Sequence, residues 1–237
     1  MSLTANTRKM TILAQDPAVR IDATGARPFA QIDIPAEPLA AGPTGYRVKV
    51  VDYDAASRLL YMDEIWAKEG SRPDGDPFEL PPLGDPDRLA REAELLGNPN
   101  FHSQNVYAIV MRVLARFEYA LGRRVGWSFG GHQLHVVPHA FVDANAFYSE
   151  EDRALMFGYF PGRSGRTVFT CLSHDVVAHE TTHALLDGLR TRYTEASSPD
   201  QAAFHEALAD VVAYLSVFSL QEIVKAALSG TAEHPPP

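Results

Sequence analysis

Apolar positions along this chain recur in two different periods, and the alternation between them marks out the predicted elements. From Asn100 to Leu121 the period is helical. Val106, Ile109, Val110, Val113, Leu114 and Phe117 share one stripe, Gly122 supplies a stop, and a long helix packed on a core is predicted. A shorter, charged helix is expected just before it, from Asp87 to about Leu96. Elsewhere the alternation is two-fold. Ala30-Gln31-Ile32-Asp33-Ile34 reads as an edge strand, and Tyr46–Tyr53 as a β-branched strand that Asp54–Ser57 turns into a second, Arg58–Met62. Gln133–Pro138, Ala144–Tyr148, Ala154–Tyr159 and Thr167–Thr170 read as antiparallel strands, with turns at Gly130-Gly131 and Pro161-Gly162.

The helical period returns in the last third. Residues 173–188 form one apolar helix with Gly188 as its expected C-terminal stop. Ser198-Pro199-Asp200-Gln201 then offers an N-cap serine, a proline at the first helical position and a glutamine in the capping-box slot, so another helix begins there. Leu208–Leu228 continues it and is apolar on more than one face, with Val211, Val212, Leu215, Val217, Phe218, Leu220, Ile223 and Val224. A surface helix is not greasy all round, so a cover is expected, from residues 1–150 or from a missing C-terminal domain or partner; on that expectation 1–237 is a fragment or truncation. Pro and Gly crowd residues 69–86, which divides a β-rich region, 1–86, from 87–237. The fold class expected is α+β.

The first of these late helices carries His179-Glu180-Thr181-Thr182-His183. Helical residues four apart are offset by only about 40° and about 6 Å, so both imidazoles project toward one point and can share one zinc ion. Glu180 then sits beside the metal, free to take a proton from a zinc-bound water. The bland alternative, an exposed polar face, is weighed by looking for a third ligand. On the following helix Glu206 and Asp210 share a face; Glu206 can be that ligand and Asp210 can accept the outer N–H of a ligand histidine. Glu206 stands among Phe204, Leu208, Val211 and Val212, where an unpaired buried carboxylate costs several kcal/mol, so ligation is favoured over a solvated charge. The longer pattern HExxHxxGxxH does not apply, because Leu186 and Leu189 stand where it needs Gly and His.

With Asp175-Val-Val-Ala-His-Glu-Thr-Thr-His-Ala184, then His205-Glu-Ala-Leu-Ala-Asp210, and Asn145-Ala146-Phe147 upstream, the chain resembles the thermolysin-like gluzincin metallopeptidases over roughly residues 100–215. The resemblance implies a zincin-like fold in which a mixed or antiparallel β part packs on a long helix and on the zinc-binding helix pair. It implies one Zn2+ on His179, His183 and Glu206, Glu180 as general base, Asp210 orienting a histidine, and Asn145 with the Ala146 backbone holding a peptide or protein substrate. An edge strand there lets an extended peptide add as a further strand. The family also uses a tyrosine after the zinc helix, for which Tyr193 is the candidate although one residue out of register. Its downstream histidine and helical half have no counterpart here. A calcium cluster is unsupported, since Asp175 matches one ligand but Val217 stands where an acidic partner belongs.

Composition narrows the alternatives. A net charge of −9 and a pI near 5.4 argue against nucleic acid or an anionic membrane as partner. The single cysteine, Cys171, cannot form an internal disulfide. No apolar run approaches the roughly 20 residues of a membrane span, and the N-terminus lacks a signal-peptide core, so the cytoplasm is the expected compartment. His132, His135 and His139 suggest a second metal cluster, but they alternate faces of a strand and no carboxylate or cysteine is expected to join them, so satisfied or surface histidines are expected. Asp187, near a helix C-terminus, is expected to be offset by Arg190 or Arg192. The reading is a zinc endopeptidase; a poorly active zinc-binding fragment and a non-catalytic interaction module are the alternatives. Glu180 argues against the last, because neither folding nor zinc binding requires it.

Overall fold

A long helix, α2 (Pro99–Leu121), runs through the centre of the molecule, a computed structural model that describes residues 7–21, 25–66, 75–163, 165–190 and 198–232. The Asn98 side chain caps it by accepting the N–H groups of Asn100 (3.0 Å) and Phe101 (3.4 Å), and Gly122 ends it in the left-handed region at φ 64°. The stripe expected from the sequence is only half the account. Every residue from Phe101 to Met111 is buried, polar ones included. Those polar groups tie α2 to its surroundings: Asn105 accepts the Leu13 N–H (2.9 Å) and donates to the Cys171 carbonyl (2.9 Å), while Gln104 donates to the Thr11 carbonyl (3.1 Å) and accepts the Trp66 indole N–H (2.9 Å).

Around α2 the chain is mixed α and β. Strands β1 (Thr7–Leu13) and β2 (Phe29–Pro35) pair antiparallel and pack on the helix. The hairpin predicted after Asp54 forms as β4 (Asp52–Asp54) and β5 (Leu59–Tyr61). The short helix α1 spans Arg88–Leu96. The main sheet contains β3 (Val48–Val50), β6 (Leu134–Phe141), β8 (Ala154–Pro161) and β7 (Ala146–Ser149) in that spatial order, with β9 (Thr167–Phe169) also on β8.

This sheet is not antiparallel throughout, as expected, but mixed: β3, β6 and β8 are parallel, and only β7 and β9 run against β8. The reason is topological. After β6 the chain crosses to the sheet's edge as β7 and then folds back as β8 into the gap between them. That order leaves β7 with one unpaired edge. Residues on both sides of the Pro/Gly-rich stretch share a single core, with Ile12, Ile32 and Val48 packed in the same cluster as Val110, Leu134 and Leu185.

After the 3-10 turn Thr170–Leu172, helix α3 (His174–Leu189) packs against α2, β7 and the next helix. Gly188 does not stop α3, which continues through Leu189. Its role is proximity: a Cβ there would lie 2.0 Å from the Gly126 carbonyl oxygen. Helix α4 (Pro199–Phe218) begins as predicted, with the Ser198 hydroxyl accepting the Gln201 N–H (3.2 Å). The single helix expected over Leu208–Leu228 is instead broken at Ser219–Leu220 and resumes as α5 (Gln221–Ala232). Only one side of α4 is covered. Ala209, Ala213, Ser216 and Val217 face inward, and Phe204, Val211, Tyr214, Leu215 and Phe218 are exposed. No helix among the described residues is long and apolar enough to cross a membrane.

Candidate metal centre

Helices α3 and α4 bring the three expected ligands together. His179 and His183 project from one face of α3 with their Nε2 atoms 2.9 Å apart, and Glu206 Oε2 reaches across from α4 to within 3.3 Å of the first and 3.7 Å of the second. Their backs are held as well. Asp210 Oδ1 lies 2.9 Å from His179 Nδ1, which turns Nε2 toward the other two ligand atoms. Two imidazole nitrogens and a carboxylate oxygen, with the outer nitrogen of His179 tied to a carboxylate, make a donor set that could hold a metal ion.

His205, one residue before Glu206, is a member that sequence reasoning missed. Its ring stacks on His183 (centroids 4.7 Å apart, 11° between planes) and the two Nδ1 atoms are 2.6 Å apart. His183 Nε2 faces His179 and Glu206, and the Nδ1–Nδ1 contact with His205 holds the other side of its ring. His205 thus orients His183 as Asp210 orients His179. Burial, followed by the charge of His179, pushes His183 down to about 4, which favours the neutral, ligating form. The only signal in the sequence was His205's adjacency to the third ligand.

Glu180 is buried at the floor of an open cleft of about 390 Å³. Burial pushes its carboxyl up to about 7; the Tyr148 backbone N–H opposes that shift and the Glu206 charge adds to it. The cleft is walled by α3, by Ala146, Phe147 and Tyr148 of edge strand β7, and by Gln201, Ala202, His205 and Glu206 of α4. Asn145 does not line it: its side-chain oxygen accepts the Ala146 N–H (2.9 Å), a local turn. Tyr193 and Arg192 lie outside the described residues. Asp187, buried one turn beyond His183, accepts a hydrogen bond from the Tyr148 hydroxyl (2.9 Å), which also pairs with Ser128 (2.9 Å).

Glu206 is not buried among the apolar residues that flank it in sequence. Its side chain is 65% exposed, as is that of Asp210, because the adjacent Phe204 and Val211 belong to the bare face of α4. What singles Glu206 out is its direction toward the histidines. A larger cleft, about 540 Å³, lies elsewhere on the surface, but its charges are already paired, Arg47 and Arg124 both bonding Glu118.

The histidines of β6 also sort differently from expectation. His132 stacks on Tyr46 (4.6 Å) at the surface, whereas His139 is buried against Asp52, His102 and Cys171, so a carboxylate and a cysteine do join it, from distant parts of the chain. No protein-family model matches the chain, and no curated protein matches it.

Proposed function

We propose that this chain is a zinc-dependent endopeptidase of zincin-like architecture. The observation that carries the reading is the convergence of His179 Nε2, His183 Nε2 and Glu206 Oε2 above buried Glu180, in a cleft bordered by the free edge of β7. His179, His183 and Glu206 would hold the zinc ion, which when bound would supply Lewis acidity toward a peptide carbonyl and a water of lowered pKa. Glu180 does the proton work. A carboxyl poised near 7 takes a proton from water at neutral pH and returns it to a leaving amine. The Tyr148 N–H holds Glu180 in place, and β7 offers main-chain groups onto which an extended peptide adds as another strand.

A second reading, a zinc-binding chain with little turnover, is favoured by the openness of the α4 wall, where two carboxylates remain largely in water. A dry site strengthens electrostatic stabilisation of charge developing in the transition state, and this one is wet on one side. Metal analysis combined with casein cleavage by wild type and Glu180→Gln separates the readings. Zinc with cleavage that falls at least about a hundredfold in the variant supports the endopeptidase. Zinc that is lost in His179→Ala/His183→Ala, without cleavage by wild type, supports the second reading, and no zinc lost in that double variant overturns both.

A further inference from the structure

We propose that His102, His139 and Cys171 form a second, structural metal site that takes one divalent thiophilic ion of the zinc class. The three residues come from α2, β6 and the 3-10 turn before α3, and their ligand atoms all lie within 4.8 Å of one another. His102 Nδ1 and His139 Nε2 face each other at 2.9 Å. Coordination by one zinc needs nitrogens about 3.3 Å apart, given metal–nitrogen bonds of about 2.0–2.1 Å, so the pair opens by only a few tenths of an ångström.

Both outer nitrogens are engaged in the manner that ligand histidines require. His102 Nε2 lies 2.9 Å from the Leu96 carbonyl, which can only accept, so that nitrogen carries the proton. His139 Nδ1 lies 2.7 Å from Asp52 Oδ1, a carboxylate–histidine pair. Each imidazole therefore turns its other nitrogen toward its neighbour, with the Cys171 sulfur within 4.8 Å of both. All four residues are at most 4% exposed. Rings of Phe169 (4.7 and 5.2 Å), Tyr159 (6.0 Å) and Tyr61 (6.3 Å) surround the two imidazoles. A closed, dry pocket suits a structural ion rather than a catalytic one.

Charge and protons balance. Without an ion, one proton lies between the two imidazoles, one between His139 and Asp52, and one on the thiol, and the group is neutral. Binding expels the first and third of these protons. A doubly charged ion then meets one thiolate and one carboxylate, and the group is neutral again. The hydrogen-bonded, metal-free arrangement is thus the competing state, and it gives Cys171 no part.

Because Cys171 is the sole cysteine of the chain, cobalt reports on this site alone. The full chain loaded with Co2+ should show a thiolate-to-cobalt charge-transfer band in the near ultraviolet, which the nitrogen and oxygen ligands on α3 and α4 cannot produce. The double variant His179→Ala/His183→Ala should keep that band and bind about one zinc per chain, where wild type binds about two. Cys171→Ala should abolish the band and remove one zinc. Absence of the band from cobalt-saturated wild type overturns the proposal without recourse to any variant. So does a double variant that binds no metal. Neither result bears on the peptidase reading, which rests on the other three ligands.

Discussion

Asp210 on α4 holds His179 on α3 through a 2.9 Å contact at Nδ1, so a carboxylate on one helix sets the direction of the Nε2 that faces His183 and Glu206. Replacing Asp210 by alanine frees that ring to rotate and removes a partner that raises its basicity. Zinc affinity should fall about 10- to 100-fold. Competition against a chromophoric chelator measures this directly. An affinity within twofold of wild type would mean that His179 is oriented by something else.

Gly188 and Gly126 make an asymmetric pair. A methyl group at Gly188 meets the Gly126 carbonyl oxygen at 2.0 Å, while one at Gly126 meets nothing within 4 Å. Gly188→Ala must therefore push α3 away from the 125–127 segment, at a cost of about 1–3 kcal/mol or more. For a chain of this size that lowers the melting temperature by several degrees. Gly126→Ala should melt close to wild type. Equal melting of the two variants would contradict the packing described for the end of α3.

Tyr148 links β7 to α3 through its hydroxyl, which donates to buried Asp187 and pairs with Ser128. Tyr148→Phe keeps the ring and removes one of Asp187's hydrogen bonds, so stability should drop by about 1–3 kcal/mol in denaturant titration. Ser128→Ala should cost less, because Asp187 keeps Tyr148. The reverse order would show that the Asp187 contact is the weaker of the two.

Acid should destabilise the fold in part through His174. Burial, and then the charge of Arg112, push this histidine down from 6.5 to about 3, and its Nε2 hydrogen-bonds the Ser216 hydroxyl at 2.8 Å. The unfolded chain takes up the proton near pH 6.5 and the folded chain resists it until about 3. Above 6.5 the two states bind equally and nothing is lost. Between those limits the unfolded state binds more protons, so stability falls as pH falls, by up to about 1.4 kcal/mol per pH unit for one proton. Denaturation of wild type and His174→Gln at pH 7, 5 and 4 should give curves that converge toward acid. Parallel curves would show that His174 does not titrate between the two states.

Much of this architecture was legible because local chemistry and tertiary context agree there. The apolar stripe of α2 and the stop at Gly122 mark out one helix, and Ser198-Pro199-Gln201 opens another. The four-residue spacings in His179–His183 and Glu206–Asp210 are properties of a single helix, so they survive any packing. What could not be read is what depends on neighbours far along the chain. Alternation in β6 and β8 shows which residues share a face but not that the strands run parallel. His139 finds Asp52 from 87 positions away, and no local pattern announces it. Gly188 illustrates a conflict: near a helix end glycine signals termination, yet contact with Gly126 outweighs the local preference. Glu206 shows the opposite error, since apolar neighbours in sequence imply burial only when a helix is covered on that side, and α4 is not.

The uneven packing of the two late helices also determines what an ion between them would do mechanically. Two inward-facing ligand atoms belong to α3, sunk in the core, and the third to α4, attached along one side only. An ion there would act as a rivet between a helix sunk in the core and one exposed along its outer side, adding to the anchorage of α4. Removing it through His179→Ala/His183→Ala should leave α2 and the sheet standing while the C-terminal helices loosen, so the earliest symptom of its loss is cleavage of α4 by an added protease.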